Sequence, residues 1–230
     1  MKNKKNAHLD GRRRVWGLTR TKVGIILHKS MVMAILMSFF QAPIAVADAM
    51  PTKTLNIADV YQYITSENAK GRTIKLRQIQ DEEAAKKFKR EQFDYVTPSG
   101  IFQVKKNAGL SEHSGIICLD FDHVENISDF KSRIFSDKVL HPLLVFTSPS
   151  GDGIKVFVPV NLCSANHETC FKGLSSYVYK VYRILPDQKC KDVSRACFLP
   201  FDSDAKIRIG KNVEPFDPRP YLPIEKDENR

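Results

Sequence analysis

The chain has 230 residues, of which 42% are hydrophobic and 27% are charged. This composition excludes a disordered or fibrous protein and makes one globular domain with a substantial core the simplest organisation. The formal net charge is +10, but residues 1–36 hold nine Lys or Arg and one acid, Asp10, and so carry +8 of that charge. Because the rest of the chain is nearly neutral, net charge is weak support for a nucleic-acid partner.

The N-terminal segment imitates a secretory signal. It has a basic start, the apolar stretch "MVMAILMSFF" and small residues in "AVADA". Its basic region is unusually long, however, and Gln41 and Pro43 interrupt the apolar run, which is also too short to span a bilayer. The cysteine count is odd, and Cys118 lies within an apolar run, as a reduced thiol would. We therefore expect a cytoplasmic protein without a membrane partner.

From about Leu55 the hydrophobic pattern alternates between helical and strand periods. Helices are predicted in "LNIADVYQYITSE", "DEEAAKKFKREQF", "ENISDFKSRIFSD" and "SANHETCFKGLSSYVYKVYRIL". Strands are predicted in "DYVTPSGIFQV", which holds two around a turn, and in "HSGIICLDF", "HPLLVFTS", "IKVFVPV" and "RACFLPF". The second helix is expected to turn Ala84, Ala85, Phe88 and Phe93 inward.

Some of these strands are joined by helices and others by a tight hairpin, a mixture that favours an α+β fold. We expect a mixed, largely antiparallel sheet with helices packed on one face and the other face free to carry a site. The tail from Asn212 contains four prolines among charges and lacks periodicity. It is expected to be extended or disordered.

Asp120 and Asp122 lie at the end of the buried strand in "HSGIICLDFDHV". Residues two apart in a strand project from the same face, so the two carboxylates should point together. They repel each other unless a cation or a shared proton lies between them, and oxygen ligands of this kind suit Mg²⁺ or Mn²⁺. The alternative is a strand end at which Asp122 begins a turn and Asp120 caps a neighbouring element. The short D-x-D pattern by itself leaves both interpretations open.

The hairpin "FTSPSGDGIKVFV" is the second candidate element. Gly151 and Gly153 flank its turn, where backbone N–H groups can form an anion-binding concavity. Lys155 follows on the returning strand, where alternation with apolar neighbours predicts that it shares a sheet face with Asp120. There it can attract a phosphate or, in an empty site, pair with the acids. An ordinary surface turn with a solvated lysine is the alternative.

The third element is "KDVSRACFLPFDSDA", in which Asp192 and Arg195 precede a short apolar strand. Asp192 would complete a three-carboxylate cluster for two metal ions if the fold brings it beside Asp120 and Asp122, and Arg195 could bind a triphosphate with its planar fork. An ion pair between Asp192 and Arg195 at a strand edge is the simpler account.

Histidines and cysteines give weaker signals. The spacing Cys163-x3-His167-x2-Cys170 fits no strong zinc pattern, and a fourth ligand is not evident. His113 and His123 bracket the acidic strand and are expected to be structural.

The order of the three elements is more informative than any one of them. A strand with D-x-D, a hairpin with S-x-S-G-x-G-x-basic, and D-x-x-R before a short strand and "LP" resemble the archaeo-eukaryotic primase and primase-polymerase superfamily. The segments "FDYVTPSGIF", "HSGIICLDFDHV", "FTSPSGDGIKVFVPV" and "KDVSRACFLPFD" are more closely similar to the VirE N-terminal domain family, whose members are often fused to primase-helicase or mobile-element modules. The resemblance spans about residues 37 to 210.

The resemblance implies domain boundaries and site roles. Residues 1–36 become a non-domain extension, residues 37–211 the primase-like domain, and residues 212–230 the tail. The implied metal-binding and catalytic acids are Asp120, Asp122 and Asp192. The implied nucleotide-binding residues are Ser148, Ser150, Gly151 and Gly153 of the hairpin, to which the charges of Lys155 and Arg195 are added. Lys155 departs from the superfamily, which usually has His on the returning strand.

The expected function is therefore a primase-like domain of a mobile-element or replication-associated protein. It would bind a nucleoside triphosphate with Mg²⁺ or Mn²⁺ beside single-stranded nucleic acid, with nucleotidyl transfer as its reaction and a separate helicase as a further partner. The alternative is a catalytically degenerate primase fold that acts as a DNA-binding or partner-docking module. Modest aromatic content and a nearly neutral core keep this alternative close.

Overall fold

The computed structural model describes residues 35–44, 49–208, 210 and 213–222. Residues 1–34, which include most of the signal-like segment and of the expected extension, lie outside this range. The described part of the chain begins with a strand that contains the "SFF" sequence, and it continues through helices and strands to a short 3₁₀ turn at Arg219–Tyr221.

The described residues form α-helices and β-strands that we number in chain order. The helices are α1 (Ile57–Thr65), α2 (Lys70–Gln78), α3 (Glu82–Gln92), α4 (Ile127–Phe135) and α5 (His167–Tyr182). The strands are β1 (Leu36–Phe40), β2 (Lys53–Asn56), β3 (Tyr95–Thr97), β4 (Gly100–Phe102), β5 (Leu110–His113), β6 (Ile116–Phe121), β7 (Leu144–Thr147), β8 (Ile154–Pro159), β9 (Cys197–Phe198) and β10 (Lys206–Ile207). Among these described helices, none is long and apolar enough to cross a membrane.

The four predicted helices are confirmed as α1, α3, α4 and α5. Helix α1 starts at a capping box, because Asn56 Oδ1 accepts from the Asp59 N–H at 2.9 Å while Asp59 Oδ2 accepts from the Asn56 N–H at 2.9 Å. Helix α2 was not predicted, since its sequence "KGRTIKLRQ" has no apolar stripe and buries only Thr73 and Leu76.

Helix α3 is less buried than its pattern predicts. Asp81 caps it by accepting from the Ala84 N–H at 2.7 Å, but none of its residues is fully buried. Ala84, which was expected to face inward, is exposed, whereas Phe93 is fully buried just beyond the end of the helix. The helix therefore lies on the surface with only part of its inner side covered.

The predicted α+β class is confirmed, but the strands form three sheets instead of one. The central sheet has the order β10-β7-β8-β6, the outer sheet has the order β2-β1-β3-β9, and β4 pairs with β5. All of these strand pairs are antiparallel. Strands β3 and β4 flank the predicted turn but pair with different partners, because β3 joins the outer sheet.

The expected free face of the central sheet is covered. One face packs Leu119 and Val156 against α4 and α5, as predicted for the helical side. The opposite face packs Phe157 against residues of α1, β1 and β3. Strand β8 is buried at all six positions, so its second face also needs an apolar cover, which the outer sheet and α1 supply. A site on this face must lie between two layers.

Part of the C-terminal tail is packed on the domain. Phe216 is 1% exposed and forms a parallel bridge with Val160, and its N–H donates to the Pro159 carbonyl at 2.8 Å. The Tyr221 ring stacks on Phe216 with centroids 5.3 Å apart. The ordered structure thus continues past residue 211, where the domain was expected to end, because aromatic residues in the tail complete the core beside α5.

Candidate functional site

A cavity of about 320 Å³ opens between the central sheet, the hairpin that joins β7 to β8, α3 and the segment before β9. We call it the first cavity. Its size is that of a small-ligand site. It brings together seven of the nine predicted site residues, which are Asp120, Asp122, Ser148, Ser150, Lys155, Asp192 and Arg195.

Asp120 and Lys155 form the centre of the first cavity. They are register partners in the β6–β8 pair, and the Lys155 ammonium donates to Asp120 Oδ2. The predicted shared face is therefore confirmed. Their side chains are 13% and 8% exposed, so burial disfavours the ammonium, but the Asp120 carboxylate together with the Cys197 and Cys118 sulfurs raises the pKa of Lys155. Asp120 Oδ1 is buried and has no hydrogen-bond partner among the described residues.

The other two acids lie at the rim of the same cavity. Asp122 directly follows β6 and is exposed as a residue, but its carboxyl faces the cavity, where partial burial and then the Asp120 charge raise its pKa. Asp192 precedes β9, where its Oδ1 accepts from the Ser194 N–H at 3.1 Å and from the Ser194 hydroxyl at 3.2 Å. No three acidic, His or Cys side chains of the described residues lie close enough together to hold a metal ion. The three acids share a cavity without forming a three-carboxylate metal centre.

The hairpin forms one wall of the first cavity through Ser148, Pro149 and Ser150. Gly151 and Gly153 shape the turn behind this wall. Gly151 has a φ of 88°, and a Cβ at Gly153 would lie 2.1 Å from the Phe121 carbonyl oxygen. The N–H groups of Ser148 and Gly151 are bonded to carbonyls within the turn. These two donors therefore are not available to an anion. The cavity wall is formed by Ser148, Pro149 and Ser150, whose two hydroxyl groups are the polar groups that the hairpin offers a ligand.

Arg77 of α2 supports the hairpin and was not identified from the sequence. Its Nε donates to the Pro149 carbonyl at 3.2 Å and its Nη2 donates to the Ser148 carbonyl at 3.3 Å. The contact spans more than 70 residues along the chain. The sequence does not predict the Arg77 contact, because α2 itself was not predicted.

Arg195 pairs with Asp187 and not with Asp192. Its Nη2 lies 2.7 Å from Asp187 Oδ2, and its backbone N–H donates to the Asp192 carbonyl at 3.0 Å. The Asp187 N–H donates in turn to the Asp120 carbonyl at 2.8 Å. This chain of contacts ties the segment before β9 to the end of β6 and leaves Arg195 on the cavity wall.

Three further cations line the first cavity. Lys89 and Arg90 come from the last turn of α3, and Lys105 follows β4. Within the described ranges none of the three forms a salt bridge with a carboxylate. Burial lowers the pKa of both Lys89 and Lys105. The sequence predicts α3 only as a charged helix. It does not predict that the last turn of this helix faces the cavity, because that depends on how the helix packs.

The weak zinc signal is not supported by the geometry. His167 Nδ1 lies 3.0 Å from His113 Nε2, Cys170 is buried in the core, and Cys163 is exposed. Burial, followed by the neighbouring His167, lowers the pKa of His113 to about 4. The two imidazoles form a half-buried contact beside the N-terminus of α5, which agrees with the structural role expected for His113.

Comparison with known proteins identifies a family for this chain. No curated protein and no solved structure matches the chain significantly. The profile described as "BT4734-like, N-terminal domain" matches residues 87–206, just over half of the chain. The matched region runs from α3 to the start of β10 and includes all nine predicted site residues. The chain therefore belongs to the BT4734-like N-terminal domain family.

Proposed function

We propose that the first cavity binds the polyphosphate of a nucleoside triphosphate together with one Mg²⁺ or Mn²⁺, as a primase-like domain would. The observation that carries this proposal is the combination of carboxylates and cations around one cavity, where three of the five cations form no salt bridge with a described carboxylate. A polyphosphate needs several cationic donors, and a hard divalent ion needs carboxylate oxygens. The cations are Lys89, Arg90, Lys105, Lys155 and Arg195, and the acids are Asp120, Asp122 and Asp192.

The acids fit one divalent ion better than two. Asp120 Oδ1 is buried and has no hydrogen-bond partner among the described residues. The Asp122 carboxyl lies close enough that, besides its partial burial, the Asp120 charge raises its pKa. A divalent ion would relieve this repulsion, so Asp120 and Asp122 would hold it. Asp192 Oδ1 already accepts two hydrogen bonds from Ser194, so Asp192 would line the cavity without holding this ion. When bound, the ion would neutralise phosphate oxygens and complete its shell with water. Lys155 would then share Asp120 with the ion.

The cationic residues would position the phosphates. Lys155 is fixed by the β6–β8 register and presents a permanent positive charge at the cavity centre. Arg195 is held by Asp187, so its guanidinium has fewer free N–H donors but a defined orientation. Ser148 and Ser150 would add hydroxyl donors from the hairpin.

Similarity of the sequence motifs to the VirE N-terminal domain and primase-polymerase families supports nucleotidyl transfer on single-stranded DNA as the reaction. It also supports a mobile-element or replication setting with a separate helicase as partner. The five free cysteines agree with the cytoplasm as the proposed location. Lys155 stands where active primase-polymerases usually have His, so it is the position at which this chain departs from their geometry at the nucleotide.

The second candidate is a degenerate, metal-independent module that binds nucleotide or DNA without catalysis. One observation favours it: the Lys155 ammonium already neutralises Asp120, the buried member of the acidic pair. A lysine in this place would take over the charge balance that a metal ion otherwise provides.

Thermal unfolding tests the proposal and a priming assay separates the candidates. A nucleoside triphosphate with Mn²⁺ should raise the melting temperature, since a ligand at 100 times its Kd stabilises by about 2.7 kcal/mol. Absence of any shift at millimolar ligand would contradict nucleotide binding. Primer synthesis on single-stranded DNA would establish the enzyme, whereas binding without synthesis would favour the degenerate module.

A further inference from the structure

A second cavity of about 410 Å³ adjoins the first. It lies between α2, α3 and the turn of the hairpin. Lys89, Asp122 and Ser150 line both cavities, so these residues form the wall that the two spaces share. The two cavities therefore lie side by side along α3, and we call them together the groove.

The chemistry of the second cavity differs from that of the first. Leu76, Ile79 and Ala85 give it an apolar side, which suits a flat heterocycle. Its charges are nearly balanced, because the cations Arg77, Lys86 and Lys89 face the acids Glu82, Asp122 and Asp152. Lys86 is also paired with Glu82 at 2.7 Å. Such a surface disfavours a second triphosphate and favours a nucleoside that carries little charge.

Lys89 lies where the two cavities meet, because it lines both of them. It forms no salt bridge among the described residues, and its surroundings include Lys155 and Asp120 on the first-cavity side and Asp152 on the second-cavity side. Its side chain extends from α3, a helix without any fully buried residue. A cation in the shared wall would contact a group that belongs to both ligand positions, and in a nucleotide strand that group is the linking phosphate.

We propose that the groove binds two linked nucleotides, with the triphosphate-bearing nucleotide in the first cavity, its neighbour in the second, and Lys89 on the phosphate between them. This inference rests on the proposed function, because it places a nucleotide in the first cavity. It adds that the ligand is a strand end and not a mononucleotide alone, and that Lys89 contacts the linking phosphate and not only the triphosphate.

The test compares ATP with the dinucleotide pppApA by isothermal titration calorimetry on the full chain. Both ligands carry the same triphosphate, so their affinity ratio isolates the second nucleotide. The wild-type protein should bind pppApA about ten-fold more tightly, the order expected if the apolar side of the second cavity buries part of the second base and Lys89 contacts the linking phosphate. Lys89→Ala should reduce this ratio to less than about three-fold. Lys87→Ala is the matched control, because Lys87 is on the same helix, is 70% exposed and lines neither cavity.

A second pair of variants tests the second cavity without changing charge. Ala85→Phe fills the cavity and should abolish the preference for pppApA while ATP binding is kept. Ala84→Phe is its control, since Ala84 is exposed and lines neither cavity. Equal binding of ATP and pppApA by the wild type would overturn the inference, as would a preference that survives both Lys89→Ala and Ala85→Phe. If the wild type binds pppApA in a Lys89-dependent way but does not bind ATP, the mononucleotide proposal fails and the two-nucleotide groove stands.

Discussion

The buried ion pair between Asp120 and Lys155 makes a strong prediction about stability. Lys155→Met keeps the length of the side chain but leaves the Asp120 carboxylate without its counter-charge. Removal of one partner from a buried pair costs about 3–5 kcal/mol. We expect about 3 kcal/mol, the lower end, because the pair borders a cavity through which water can reach the carboxylate. The double variant with Asp120→Asn should recover about 2 kcal/mol, since the buried charge is then gone as well.

Urea unfolding measures this effect through the midpoint, with the slope unchanged if the unfolded state is unaffected. Lys87→Met is the control, because Lys87 is exposed and its loss should change the free energy of unfolding by no more than about 0.5 kcal/mol. A loss below 1 kcal/mol for Lys155→Met, or a double variant as unstable as the sum of the single variants, would refute the reasoning. Lys155 would then be a solvated residue.

Two further predictions follow from local geometry. Burial lowers the pKa of His113 to about 4 and also lowers that of His167, so the unfolded state binds more protons between pH 6.5 and 4. The contribution of the two neutral histidines to the free energy of unfolding should be fully present above pH 6.5. It should fall toward pH 4 by up to about 1.4 kcal/mol per pH unit for each proton, and His113→Gln should show a shallower fall. An unchanged slope in that variant would argue against the His pair. Gly153→Ala should destabilise by about 2 kcal/mol or more, because its Cβ would meet the Phe121 carbonyl at 2.1 Å. Gly71→Ala in α2 meets nothing within 4 Å and should be neutral or slightly stabilising in the same urea assay. Equal stability of the two variants would contradict the packing at the turn.

The parts of the site that depend on local pattern were predictable. Strand alternation gives the face on which Asp120 and Lys155 each project, and the short turn between β7 and β8 places Lys155 near the start of the returning strand. The four longest amphipathic segments also became helices, because each carries an apolar stripe or a cap. These features need no knowledge of distant residues.

The parts that depend on distant contacts were not predictable. Strand β2 has one buried residue and β10 has two residues in all, so neither carries a pattern that could be read. The residues that cover the second face of β8, such as Met37 and Val96, lie more than 50 positions before Phe157 in the chain. The same holds for Lys89, whose place beside Asp122 depends on how α3 lies across the groove.

Metal-dependent nucleotide binding by the first cavity is the central claim, and one titration tests it most directly. ATP is titrated into the full chain in Mg²⁺ and in EDTA, with wild-type protein and with Asp122→Asn. Asp122 is suited to this test because it is exposed, so its loss should leave the fold intact. We predict that Mg²⁺ strengthens ATP binding by the wild type about ten-fold or more, on the scale of a charge-assisted contact, and that Asp122→Asn removes the difference. Equal affinities in Mg²⁺ and EDTA for the wild type, or no ATP binding at all, would contradict the claim.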